Sequence, residues 1–146
     1  MSSGRNVMLV FIIMWVMFRS GSFKSGVEGN IFQNSRVFMS IRNGLMTALT
    51  LGCHSSEDNL GTRILQTNGT FDFNFRPNVW GSTKFVCDFL WDFNKTRIIH
   101  NNFLVYKYKR DTNGCDTNCL WVINQTAATQ SNPKNPGFAD KPYYWN

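Results

Sequence analysis

The chain has 146 residues, with 15 lysines and arginines against 9 acids for a net charge of +6, and four cysteines. That length suits one compact domain with a real core, and one domain is expected. The charge excess is too modest to single out a polyanion as partner, and 16% charged residues with 42% hydrophobic ones is the balance of a folded protein, not a disordered one.

The first element is an apolar run over residues 7–18, preceded by Arg5 and followed by the small residues Ser20, Gly21 and Ser22. This is the order of a secretory signal peptide, and the run is shorter than the roughly 20 residues that span a bilayer. The expected organisation is therefore a signal peptide over 1–22 and one domain over 23–146. Losing Arg5 and Arg19 leaves 13 cations against 9 acids, a charge of +4. An exported chain of this size with Cys53, Cys87, Cys115 and Cys119 reads as carrying two disulfides. Three pairings are open. The nested one, Cys53 with Cys119 and Cys87 with Cys115, is favoured because both of its loops would restrict the unfolded chain. Zinc is the rival use of the cysteines, with His54 beside Cys53, but Cys53 and Cys87 have no short-spaced partner, so no metal or other cofactor is expected.

Beyond the leader the chain reads as strands separated by turns. Val37, Met39 and Ile41 alternate with polar Ser40 and Arg42, and Leu49, Leu51 and Cys53 repeat the pattern after the turn at Asn43-Gly44. Phe71, Phe73 and Phe75 alternate with Asp72 and Asn74, and Asn68-Gly69 just upstream predicts a type I′ hairpin pairing 63–67 with 70–75. Pro77 breaks that ladder. Phe85, Cys87, Phe89 and Trp91 then line one face of a long, central strand, and 103–108 and 119–123 complete the set. Seven or eight short strands predict an all-β fold, a two-sheet antiparallel β-sandwich whose sheets the cysteines could tie together. An immunoglobulin topology is not expected, because Phe85, Asn113 and Thr117 stand where its tyrosine would precede the second core cysteine. The tail from 125 is loop-like until Tyr143-Tyr144-Trp145, aromatic enough to dock on the body.

Chemistry-bearing residues are few. His54 and His100 would have to converge on one phosphate to make a small secreted hydrolase or ribonuclease, and nothing in their spacing brings them together. Tyr106-Lys107-Tyr108-Lys109 interleaves aromatics and cations, but strand alternation sends the two kinds to opposite faces, so no nucleic-acid partner is expected. Trp80, Trp91 and Trp145 would be the stacking platforms of a glycan-binding module. Asn68, Asn94 and Asn124 head N-glycosylation sequons in turns or at strand ends. The most pointed feature is the polar loop His54, Ser55, Ser56, Glu57, Asp58 and Asn59, whose consecutive oxygens do not suit calcium and which reads as an exposed recognition loop, with 111–116 as a second segment.

Five motifs in order resemble the plant self-incompatibility protein S1 homologues: Asn43-Gly44-Leu45 before the strand ending at Cys53, Glu57-Asp58-Asn59-Leu60-Gly61, Thr83-Lys84-Phe85-Val86-Cys87, Phe103-Leu104-Val105-Tyr106, and Cys115 with Cys119 and Trp121. Asn59 stands where the family often has Asp. The resemblance implies a secreted β-sandwich with two disulfides and no catalytic activity, acting as a ligand for a cell-surface receptor; the founding members act in pollen rejection. A monomer, not inserted in the membrane after leader removal, is the expected state.

Overall fold

A computed structural model describes residues 35–146; the leader expected over 1–22 and the boundary at 23 lie outside the described residues. Nine strands are present among them: β1 (Val37–Asn43), β2 (Leu49–His54), β3 (Asn59–Leu65), β4 (Thr70–Phe75), β5 (Lys84–Phe93), β6 (Thr96–Lys107), β7 (Asn118–Ile123), β8 (Ala127–Ser131) and β9 (Lys141–Tyr144), with one helical turn, α1 (Tyr108–Asp111), after β6. They form two sheets, β4-β1-β7-β8-β9 and β3-β2-β5-β6. The predicted sandwich is thus present, and its strand order is not that of an immunoglobulin domain. All neighbours are antiparallel except β1 and β7, which run parallel with Met39 opposite Cys119 and Ile41 opposite Trp121.

Alternation decides the core. Val37, Met39 and Ile41 of β1, Leu49, Leu51 and Cys53 of β2, Phe85, Cys87, Phe89 and Trp91 of β5, and Cys119, Trp121 and Ile123 of β7 are all buried in one cluster between the sheets. Phe75 links the layers, its ring centroid 4.5 Å from Phe85 and 4.8 Å from Tyr106.

Three expectations are corrected. Residues 63–67 and 70–75 do not form a hairpin: β3 pairs with β2, β4 with β1, and the connection crosses between the sheets. A type I′ turn needs positive φ at both central residues, and here Asn68 alone adopts it, at 65°. The two-residue turn with both φ positive is Asn94-Lys95, at 49° and 62°, joining β5 to β6. The tail is not a loop: β8 pairs with β7 and β9 with β8, while Trp145 docks as expected, its indole N–H donating to the Asn124 carbonyl at 2.8 Å. The small and polar sequence Ala127-Ala128-Thr129-Gln130 hid β8, because its inward positions hold Ala128 and a polar Gln130 that reaches a buried carboxylate, not large apolar residues.

The third correction is the sulfur pairing. Cys53 bonds Cys87, and Cys115 bonds Cys119. Cys53 and Cys87 stand directly opposite each other on β2 and β5, with Cα atoms 4.1 Å apart, so the bridge staples neighbouring strands of one sheet rather than the two sheets. The second closes a short loop just before and into β7, with Cα atoms 5.0 Å apart.

Asn43, fully buried, organises two of the four crossings between these sheets, β1 to β2 and β3 to β4. Its amide donates to the carbonyls of Thr47 at 2.8 Å and Leu65 at 3.0 Å, and its side-chain oxygen accepts from the Leu45 N–H at 2.9 Å. Its backbone N–H donates to Gly69 O at 2.9 Å, and its carbonyl accepts from Asn68 at 2.8 Å. Asn43→Ala orphans a buried N–H and a buried carbonyl and is expected to cost about 2–3 kcal/mol in denaturant unfolding. A loss under about 0.5 kcal/mol, the size of an ordinary surface change, would show the crossings to be held otherwise.

Candidate recognition surface

One end of the sandwich gathers three segments. The first is the polar loop after β2. Ser55 shapes it: its hydroxyl accepts from the N–H groups of Glu57 at 3.2 Å and Asp58 at 3.0 Å, while its own N–H donates to Asp58 O at 2.8 Å. Such a serine turn leaves His54, Ser56, Glu57, Asp58 and Asn59 exposed. The Cys53–Cys87 bridge lies immediately beneath.

The second segment, 76–83, connects β4 to β5 and is braced by Asn78. The Asn78 amide donates to Ser82 Oγ at 2.8 Å, its side-chain oxygen accepts from Ser82 N–H at 3.0 Å, and its backbone N–H donates to Thr83 Oγ1 at 2.8 Å. Gly81, with φ of 65°, sits against the Tyr108 ring where a Cβ would collide. This frame holds Val79 and Trp80 outward, 60% and 85% exposed. A groove of about 310 Å³ between the two segments is lined by His54, Ser55, Ser56, Ser82, Lys84 and Val86.

The third segment, 108–117, borders Pro77 across a shallow cleft that Tyr108, Thr112 and Asp116 also line. Sequence reasoning offered 111–116 as surface, but only Thr112, Asn113 and Asp116 are exposed there; Asp111 and Cys115 are fully buried. Asp111 is an internal anchor, accepting from Lys107 N–H and from the side chains of Arg110 and Gln130.

The other candidate groups do not assemble into a site. His54 follows inward-facing Cys53 and lies exposed on the outer face, opposite Val86. His100 stands opposite buried Phe89 and stacks on Trp145 with centroids 4.2 Å apart, where burial lowers its pKa. The two imidazoles thus occupy opposite faces of the sheet, and the paired-histidine hydrolase is not built. Trp91 is buried and Trp145 is packed on His100, so of the three tryptophans offered as sugar platforms Trp80 alone is free to act. Tyr106 is fully buried, its phenol pKa raised by burial and by Asp111, and is no base-stacking platform. All four cysteines are oxidised in pairs, which removes them as metal ligands, and no metal-binding cluster occurs among the described residues. No helix among the described residues is long and apolar enough to cross a membrane.

Trp80 and Val79 are the residues that sequence reasoning undervalued as recognition groups. The available signal was a pair of large apolar residues between turn formers, Pro77-Asn78 on one side and Gly81-Ser82 on the other.

Fold and surface together define a disulfide-stapled, two-sheet β-sandwich that presents braced loops at one end. The model of plant self-incompatibility protein S1 matches residues 39–145, and the chain belongs to that family. It is 37% identical to S-protein homolog 29 of Arabidopsis thaliana over 100 residues, 68% of this chain and 69% of the relative. It is 32% identical to S-protein homolog 2 of the same plant, covering 80% and 73%, and 27% identical to self-incompatibility protein S1 of Papaver rhoeas, covering 81% and 78%. A solved self-incompatibility protein homologue, from a family described as small, highly stable, secreted plant proteins, superposes with a TM-score of 0.50 over 75% of this chain and 96% of its own at 17% identity. At that identity the likeness establishes the fold.

Proposed function

We propose that this chain is exported and works as an extracellular recognition ligand, docking on a cell-surface protein through the end formed by 54–59 and 76–83. The Papaver relative carries self-incompatibility in its name, and recognition between pollen and pistil is one setting for such a ligand. Export is supported by the leader-like run at 7–18, by two disulfides, and by the secreted character ascribed to the solved relative's family.

The observation that carries the docking surface is the 85% exposure of Trp80 on a loop locked by Asn78. An apolar indole held in water gains from burial in a partner's pocket, and a braced loop loses little entropy on docking. Polar groups of both signs line a cleft at the same end, Glu57 and Asp58 against Arg76 and Lys84, and these would set orientation.

The test is titration of fluorescently labelled protein onto protoplasts. Trp80→Ala is expected to weaken binding about 30-fold or more, the hot-spot range of 2 kcal/mol and above, while the unfolding midpoint stays put. Exchange of 55–59 for a neutral linker should weaken it further. Unchanged binding in both variants, with the fold intact, would move the docking surface elsewhere.

A further inference from the structure

All three sequons lie at the end of the sandwich opposite Trp80. Asn43 at the close of β1 binds the Asn68-Gly69 turn through two backbone hydrogen bonds. Thr47 Oγ1 donates to the Asp92 carbonyl at 3.2 Å, two residues before Asn94. Gly44 N–H donates to the Ile123 carbonyl at 2.9 Å, one residue before Asn124. Lys84, His54 and Asn118, by contrast, mark the far ends of β5, β2 and β7.

The three asparagines are not equivalent. Asn94 occupies the tip of the β5–β6 hairpin, and Asn94, Lys95 and Thr96 are all exposed. Asn68 is exposed in a turn closed by Gly69 N–H to the Gln66 carbonyl at 2.8 Å, with Thr70 exposed beyond it. At both tips φ is positive, which asparagine tolerates, and both asparagines are exposed there. Asn124 is half-buried instead. Its side-chain oxygen lies where any Cβ on Gly44 would go, its N–H is bonded to Ala127 O at 2.9 Å, and its carbonyl receives the Trp145 indole. The neighbouring Gln125 accepts from the buried Trp91 indole at 3.0 Å, which fixes the middle of that sequon.

A glycan is bulky and needs open solvent around the carboxamide nitrogen. On Asn94 or Asn68 it would extend from a turn without touching the core. On Asn124 it would hang from a half-buried carboxamide whose oxygen is wedged beside Gly44, in a residue whose backbone carbonyl holds the Trp145 indole; crowding that turn would loosen the dock, so molecules carrying it would fold less well and be depleted from the exported pool.

We propose that the exported protein is N-glycosylated at Asn94 and Asn68 and not at Asn124, so that sugar covers one end of the sandwich and the Trp80 end stays bare. This rests on the export reading above. The full chain is expressed in plant cells in two arms, with its own leader region and with an established secretory leader placed before it, and digested with an amidase that accepts plant N-glycans. Removing the hydroxyl residue of each sequon spares the turn asparagines. The expected result is two stepwise mobility shifts on digestion, one lost in Thr96→Ala, one lost in Thr70→Ala, and none lost in Thr126→Ala. A full-length product of the second arm that enters the lumen and shows no shift, or a shift lost in Thr126→Ala, overturns the proposal. Retention of the first arm inside the cell while the second is secreted with both glycans would overturn export by the native leader and leave the glycan sites standing.

Discussion

Asp111→Ala is expected to destabilise the fold by about 3–5 kcal/mol, the cost of breaking a buried ion pair from one side. Asp111 is completely buried. One carboxylate oxygen accepts from Gln130 Nε2 at 2.9 Å and Arg110 Nε at 2.8 Å; the other accepts from Lys107 N–H at 2.7 Å and Arg110 Nη2 at 2.8 Å. The Arg110 side chain is itself only 22% exposed, donates to the Leu104 carbonyl, and lies over the rings of Trp121 and Tyr143. Among the described residues, removing the carboxylate leaves a partly desolvated cation hydrogen-bonded to the Leu104 carbonyl alone, a backbone N–H with no acceptor, and an amide with only the Cys115 sulfur as partner. The same residue ties α1 to β8, and Asn132 extends the tie by donating to the Cys115 carbonyl at 2.8 Å, so the loop before β7 should loosen as well. Linear extrapolation of guanidinium unfolding at neutral pH gives the loss. Arg110→Ala and the double variant complete a cycle that isolates the pair. A coupling near zero would mean that Asp111 acts through Lys107 and Gln130 alone.

Removing the Cys53–Cys87 bridge by Cys53→Ala with Cys87→Ala is expected to cost about 4 kcal/mol, and removing Cys115–Cys119 about 2 kcal/mol, on the chain-entropy account of loop closure. The difference follows from sequence separations of 34 and 4. Both sulfurs of the first bridge also face the core, so their loss leaves poorly filled space between β2 and β5. Denaturant midpoints of the two double variants decide the matter, and equal losses would contradict the loop-length account. Peptide mapping of the unreduced protein checks the pairing itself: a peptide holding residue 53 should be joined to one holding residue 87. A nested pairing would instead close two long loops and make both removals costly.

Five motifs in chain order were enough to reach the family, and the period-two runs were enough to reach the fold class. Val37, Met39 and Ile41, or Phe85, Cys87, Phe89 and Trp91, announce a buried face because a strand sends alternate side chains to opposite sides, whatever it pairs with. The loop at 54–59 was equally legible, since serine and asparagine in that spacing close local turns. Local chemistry says nothing about which strand lies beside which. Asn68-Gly69 looked like a hairpin and became a crossing, because β3 and β4 each found another partner. Four cysteines announced two bridges, but only the register of β2 against β5 set Cys53 opposite Cys87.

The amino-acid sequence alone determined that this is an all-β protein with oxidised cysteines and a polar loop after Cys53, since alternation, turn chemistry and cysteine count are properties of neighbouring residues. Tertiary structure alone decided the sulfur pairing, the inward Asp111, the two tail strands and the outward Trp80. Each of these depends on contacts between segments far apart in the chain, and the burial of a side chain is fixed by what the rest of the fold lays over it.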